Sequence, residues 1–275
     1  MKDLFAIVFL CLCATQASAD SMETILERGI IEVAVYKDFP PYSYTENGKP
    51  QGIDVDIANE VAKKLGVRAI FRMVGADENM SDDLRNNVWK GHYLGGGTAD
   101  MMMHVPYHPE YSSEEDLVLF LTPYYEERIV FAYDTEQIPP PTGLEPFLKH
   151  KVGVELDTLA DFILLGSMQG KLIRNVLHYR TVSQAVEGMK NSETTAVLAP
   201  RGELEVALSG EERYKIVDVA LPKFSQRIWN LGVGVKFTNT ALGENLEQAI
   251  RELEASGEIE QVFNRYGISY QPPGS

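Results

Sequence analysis

Residues Asp38 to Gly66 read DFPPYSYTENGKPQGIDVDIANEVAKKLG, and this stretch decides the fold. It follows a short apolar run of strand length, Ile30 to Tyr36. Phe39, Pro40, Pro41, Tyr42 and Tyr44 make a stiff aromatic loop. Glu46-Asn47-Gly48-Lys49 has tight-turn chemistry, because Asn and Gly tolerate positive φ. Ile53, Ile57, Ala58, Val61, Ala62 and Leu65 then recur at helical spacing, with Asp54 expected as N-cap and Gly66 as the stop. Strand, aromatic loop, hairpin and helix open an α/β chain.

Outward from this stretch the alternation continues. Val67–Val74 and Asp100–Val105 read as short strands. In DMMMHV, Met101 and Met103 would share one face and Met102 the other, all filling core rather than binding a soft metal. Leu117–Thr122 leads into Pro123-Tyr124-Tyr125 and a strand at Arg128–Tyr133. Ile138–Thr142 is a proline-broken surface loop. Leu144–Lys149 and the strand Lys151–Glu155 restart the pattern. A helix at Val182–Met189, a buried strand at Thr195–Leu198 and a return strand at Asn230–Phe237 follow. Leu242, Leu246, Ala249, Ile250 and Leu253 share a helical face closed by Gly257. Ile259, Val262, Phe263 and Tyr266 form a second, closed by Gly267.

The start of the chain reads as a removable leader over residues 1–19. Lys2 is its charge, Leu4 to Ala14 its apolar run, and Ala17-Ser18-Ala19 its cleavage pattern. Cys11 and Cys13, the two cysteines of the chain, both lie inside it, so no disulfide, thiolate metal site or cysteine nucleophile is expected beyond it. The formal net charge of −15 argues against nucleic acid and anionic membranes. No later segment has the length of a membrane span. The five histidines show no metal-ligand spacing. No metal and no cofactor is expected.

The opening stretch, Gly97-Thr98-Ala99-Asp100, the apolar run into Pro123-Tyr124-Tyr125 and the helix–Gly–helix ending together resemble the bacterial extracellular solute-binding proteins of family 3. That resemblance implies a type II periplasmic binding protein fold: two α/β lobes, a mixed sheet in each, and two hinge crossings. Lobe 1 would comprise 20–127 plus 236–275 and lobe 2 128–235, with a ligand cleft between them and the periplasm as location. Members close on ligand by hinge bending.

An amino-acid binder needs a guanidinium fork for the ligand carboxylate and a carboxylate for its ammonium. The family's Thr-Pro-Glu-Arg motif reads His108-Pro109-Glu110-Tyr111 here, so Tyr stands for Arg. The family's Asp after the lobe 2 strand is missing from Ala199-Pro200-Arg201. The Gly-Ser/Thr pair that opens a helix has become Asp157-Thr158. A hydroxyl brings no charge, and losing the partner of a buried ion costs about 3–5 kcal/mol. Binding of free amino acids in the family manner is therefore not expected, unless Arg128 or Arg201 substitutes. Cleft candidates are Tyr36, Phe39, Tyr42, His104, Tyr107, His108, Tyr111, Asp157, Thr158 and Arg201. Tyr44, Trp89 and Tyr93 are further aromatic candidates.

Trp89-Lys90-Gly91-His92-Tyr93-Leu94-Gly95-Gly96-Gly97, with His104-Val105-Pro106 after it, resembles a narrower group. These are the J proteins of bacterial methanol-oxidation clusters, binding-protein-like and encoded with quinoprotein methanol dehydrogenase. The resemblance implies a non-enzymatic accessory role, with subunits of a calcium- and PQQ-containing dehydrogenase as partners. The alternative is a transport receptor for a small non-amino-acid polar or aromatic solute. A dehydratase acting on prephenate-like acids would need cations for its substrate, and the lost Arg argues against it.

Overall fold

The computed structural model describes residues 22–219, 221 and 227–274. The expected leader, with Cys11 and Cys13, lies outside the described residues. The first half runs α1 (Met22–Arg28), β1 (Ile30–Tyr36), β2 (Asp38–Phe39), β3 (Ser43–Glu46), β4 (Lys49–Gln51), α2 (Ile53–Lys64), β5 (Arg68–Val74), α3 (Met80–Leu84), β6 (Met101–Tyr107), α4 (Pro109–Glu114), β7 (Val118–Phe120) and β8 (Tyr125–Asp134). The second runs β9 (Val152–Glu155), α5 (Leu159–Gly166), β10 (Val176–Tyr179), α6 (Val182–Lys190), β11 (Ala196–Pro200), α7 (Arg201–Ala207), β12 (Tyr214–Val217), β13 (Ile228–Lys236), α8 (Thr240–Ala255) and α9 (Glu258–Arg265).

The main sheet orders its strands β10-β9-β11-β8-β13-β6-β1-β5, with β12 also on β8 and β7 also on β13. The pairs β1·β5, β1·β6, β9·β10 and β9·β11 are parallel, whereas β8 and β13 meet their neighbours antiparallel. This is the two-lobed α/β type II binding-protein architecture. The long strands β8 and β13 pair through Ile228↔Arg128 to Leu231↔Tyr125 and carry the sheet from one lobe into the other.

Each lobe has its own core. In lobe 1, α2, α8 and α9 lay their apolar faces on one side of the sheet, joining Ile57, Val61, Leu246, Ile250 and Phe263 to Val33, Met101 and Met103. Met102 faces the other side with Leu84, Val88 and Val105. The alternation expected along DMMMHV is what the strand shows. Lobe 2 buries Phe131, Phe147, Val152 and Leu198 on one face and Val130, Val186, Met189 and Val197 on the other. The β3–β4 hairpin turns on Asn47 and Gly48, both at positive φ.

Asp54 is not the N-cap of α2. Gly52 takes that place at φ 122°, where an added Cβ would stand 2.9 Å from the Ser43 Cα. Asp54 instead lies inside the first turn, fully buried.

Candidate functional site

The turn from β6 into α4 builds the lobe 1 wall of the cleft. His108 is extended (φ −140°, ψ 131°) and starts α4, which carries Tyr111. Leu159, the first residue of α5, faces them from lobe 2. Trp229 sits in β13 opposite Glu127 and packs against the cores of both lobes. With Met80 and Pro106 these residues enclose a cavity of about 350 Å³. Its walls are thioether, indole, phenol, pyrrolidine, imidazole and isobutyl, and among the described residues no carboxylate, ammonium or guanidinium lines it. The Tyr111 ring meets Phe120 edge-on at 5.6 Å. Burial pushes the Tyr111 hydroxyl up to about 12, so it stays neutral.

A second cluster lies beside the cavity. The Phe39, Tyr42 and His104 rings stand 4.6–5.2 Å apart. His104 has φ 62°, and its Nδ1 is 3.0 Å from Asp54 Oδ2. Tyr124 donates its hydroxyl to Asp54 Oδ1 at 2.6 Å. The buried Asp54 carboxylate is thus held by protein groups, as a buried charge must be.

Tyr42 closes the space between the lobes. Its hydroxyl donates to the buried Glu127 carboxylate. Glu127 also accepts the backbone N–H of Arg128 at 2.8 Å and of Arg201 at 3.2 Å. Glu127 therefore satisfies the start of α7 from within the chain. Burial raises the pKa values of Tyr42, Tyr124 and Glu127. Glu203, one turn into α7, is raised well above the ordinary carboxylate range by burial and by Glu155 and Glu127 nearby.

The places where an amino acid would be gripped are all spent on the chain itself. Arg201 Nε binds Glu205 at 2.9 Å, Arg128 pairs with Glu126 and with Asp218 at 3.1 Å, and neither residue lines the cavity. The Thr158 hydroxyl accepts from Asp161 N–H at 3.3 Å and donates to Glu155 O at 2.8 Å. The Asp157 N–H donates to Asp161 Oδ2 at 3.1 Å, so a side-chain carboxylate already sits at the start of α5. Asp161 Oδ1 is in turn 2.9 Å from His178 Nε2.

Other candidates are not among the residues that line the cavity. Tyr36 donates to Asp83 Oδ2 at 2.8 Å, and Tyr107 ends β6 opposite Asn230. Tyr44 sits in β3, and Trp89 packs in the second lobe 1 core. Sequence reasoning did not place Met80, Pro106, Leu159, Trp229 or Glu127 at the site. Leu159, next after Asp157-Thr158, could have been found from that motif. Among the described residues, no group of three or more His, Cys, Asp and Glu is placed to hold a metal ion. No helix among them is long and apolar enough to cross a membrane.

The glycine-rich segment is a projecting loop. It leaves a π-helical turn at Arg85–Trp89 and closes on itself, since an added Cβ on Gly91 would stand 3.2 Å from Gly97 O. Gly91, Gly95, Gly96 and Gly97 all have positive φ. Arg72 donates to Gly97 O at 2.8 Å while paired with Glu32 at 2.7 Å. Gly95 N–H donates to His92 O at 2.9 Å, and the His92 and Tyr93 rings meet 4.4 Å apart, tilted by 36°. At the tip, Tyr93 is 87% and Leu94 78% exposed.

The fold and this cleft define a binding protein. The chain belongs to the bacterial extracellular solute-binding proteins of family 3, whose pattern matches residues 31–269. It is 21% identical over 272 residues to the arginine-binding periplasmic protein of Mannheimia haemolytica, covering 96% of this chain and 98% of that one. A stretch of 71 residues, 26% of either chain, is 37% identical to the cyclohexadienyl dehydratase of Pseudomonas aeruginosa. The solved ancestral cationic amino acid solute-binding protein AncCDT-1 superposes with a TM-score of 0.72 at 17% identity, over 90% of this chain and 99% of that one.

Proposed function

We propose that this chain is a non-enzymatic periplasmic binding protein turned from amino-acid capture to protein contact, serving a PQQ- and calcium-dependent methanol dehydrogenase. The observation that carries the reading is the braced 89–97 loop, which displays Tyr93 and Leu94 to solvent. Large apolar side chains held on a preorganised loop suit insertion into a partner's pocket, because little ordering entropy is lost on binding. The occupied ion-binding places support the same reading. So does the sequence likeness of Trp89–Gly97 to the methanol-oxidation J proteins. The negative charge fits a basic partner surface. The dehydrogenase reading rests on the likeness and the loop; the amino-acid-binding relatives do not bear on it.

The relatives support a second reading, a transport receptor, and favour it over the first; that its solute is not an amino acid rests on the cavity alone. Dehydratase chemistry is disfavoured, because among the described residues no Lys or Arg lines the cavity to meet a carboxylate substrate.

Mixing the purified protein with purified methanol dehydrogenase in sedimentation experiments tests the first reading. A salt-sensitive complex lost in Tyr93→Ala/Leu94→Ala is expected. No complex at tens of micromolar, together with normal dehydrogenase activity in a deletion strain, overturns it. The second reading is tested by native mass spectrometry of protein purified from its own periplasm. A retained small molecule supports it, and an empty protein counts against it.

A further inference from the structure

We infer that the cavity between the lobes is a site for a neutral, single-ring aromatic molecule bearing one hydroxyl or carbonyl group. This rests on the receptor reading of the cleft and specifies its ligand.

Size sets the first limit. A cavity of about 350 Å³ is at the small end of ligand sites, which run from roughly 300 to 1,000 Å³. An engineered apolar cavity of about 150 Å³ already takes benzene. One ring with a short substituent fits, and a dipeptide or a sugar chain does not.

Charge sets the second limit. Among the described residues a carboxylate in this cavity would meet no lining guanidinium: Arg128 is paired with Glu126 and Asp218, and Arg201, bound to Glu205 through Nε, lies outside the lining. It would find the start of α5 already taken by Asp161. Among the described residues an ammonium would meet no lining carboxylate, and Glu127 is turned to Tyr42 and to the two N–H groups of the hinge and α7. Either charge would lie unpaired against apolar walls. The described lining thus offers a zwitterion neither of the two charged partners it needs.

Shape and polarity set the third. Trp229 and Tyr111 offer flat faces, and the Met80 thioether suits contact with a ring edge. The imidazole of His108 lines the cavity, and among the described residues no side chain or backbone group holds it in a hydrogen bond. It and the buried Tyr111 hydroxyl are the groups left to meet one polar atom of the ligand. Trp229 packs against both cores, so a ligand resting on it touches the joint between the lobes.

The test uses benzyl alcohol as probe, with cyclohexanol, L-phenylalanine and L-arginine beside it, followed by Trp fluorescence and calorimetry on the full protein. Saturable binding of benzyl alcohol is expected, tighter than cyclohexanol, with no binding of either amino acid at the same concentrations. Leu159→Glu places a charge on an exposed rim residue, 40% accessible, and should weaken benzyl alcohol at least tenfold without altering the unfolding midpoint. Amino-acid binding without benzyl alcohol binding overturns the inference and leaves a receptor. Benzyl alcohol binding indifferent to Leu159→Glu overturns the location. Absence of binding across the panel overturns the inference, while native mass spectrometry judges the receptor reading separately.

Discussion

Tyr42 and Glu127 tie the aromatic loop of lobe 1 to the hinge: the phenol donates to a carboxylate that also accepts Arg128 and Arg201 N–H. In a binding protein of this family the ligand is what bridges the lobes, and here a side chain of the chain does part of that work. Tyr42→Phe removes one of three donors from a buried carboxylate. A loss of about 1–3 kcal/mol in urea unfolding at pH 7 is expected.

Glu127 also gives stability a pH dependence of definite sign. Burial raises its folded pKa above the unfolded value of 4.5, so the folded state holds the proton more tightly. Its contribution is complete below pH 4.5 and falls as pH rises through the raised value. Glu127→Gln cannot ionise, so the difference in unfolding free energy between variant and parent should move in the variant's favour from pH 5 to pH 8. A difference that stays flat over that range would show that Glu127 does not titrate in it.

Gly202 shows how closely the lobes meet. A Cβ there would overlap the Tyr42 hydroxyl and stand 3.3 Å from Ile268 Cδ1. Gly202→Ala should therefore cost about 1–3 kcal/mol through overpacking. Tyr42→Phe removes the overlapping oxygen, so the double variant should lose less than the sum of the two single losses. Additive losses in the double-mutant cycle would mean that the two residues do not touch in solution.

Much of this fold was legible because its signals are local. The apolar spacing from Ile53 to Leu65, the Asn47-Gly48 turn and the faces of α8 and α9 each reside in one short segment. The short helices α3, α4 and α7 were not read, since five to seven residues hold too few apolar repeats to set a period. Asp54 was misjudged because a carboxylate near a helix start looks the same in sequence whether it caps or is buried. Its true partners, Tyr124 and His104, lie 70 and 50 residues away. Trp229 acquires its place on the cleft floor only when β13 pairs with β8, about a hundred residues earlier in the chain. The lost Arg and Asp could be read from sequence. That Asp161 and Glu127 fill helix starts could not, because each contact depends on the folded backbone.

Lobe 2 carries a pair with the opposite pH sign. Arg213 donates to both carboxylate oxygens of the buried Asp134, at 2.8 and 2.5 Å, and holds its pKa down to about 2. A lowered carboxylate stabilises above its unfolded value of 3.8 and loses that contribution as pH falls toward 2. Arg213→Leu should destabilise lobe 2 at neutral pH, because it leaves the buried Asp134 carboxylate without its two guanidinium donors. The variant should also unfold with a weaker acid dependence than the parent between pH 4 and pH 2. Circular dichroism melts across that range measure both.

The loop that displays Tyr93 and Leu94 separates contact from preorganisation. Tyr93→Ala/Leu94→Ala removes exposed side chains that support no core, so unfolding free energy should change by less than about 0.5 kcal/mol. Any partner that the tip engages should nevertheless be lost. Arg72→Ala does the reverse. It keeps the tip residues but removes the guanidinium that ties Gly97 O to Glu32. Without that brace the four glycines at positive φ are free to wander, and ordering them falls to the binding step. Partner affinity should then drop by roughly tenfold, about 1.4 kcal/mol, with Tyr93 and Leu94 intact. Hydrogen exchange at residues 92–97 should rise in the same variant. Faster exchange without weaker binding would show that the tip acts through its side chains alone and that the brace serves only the fold.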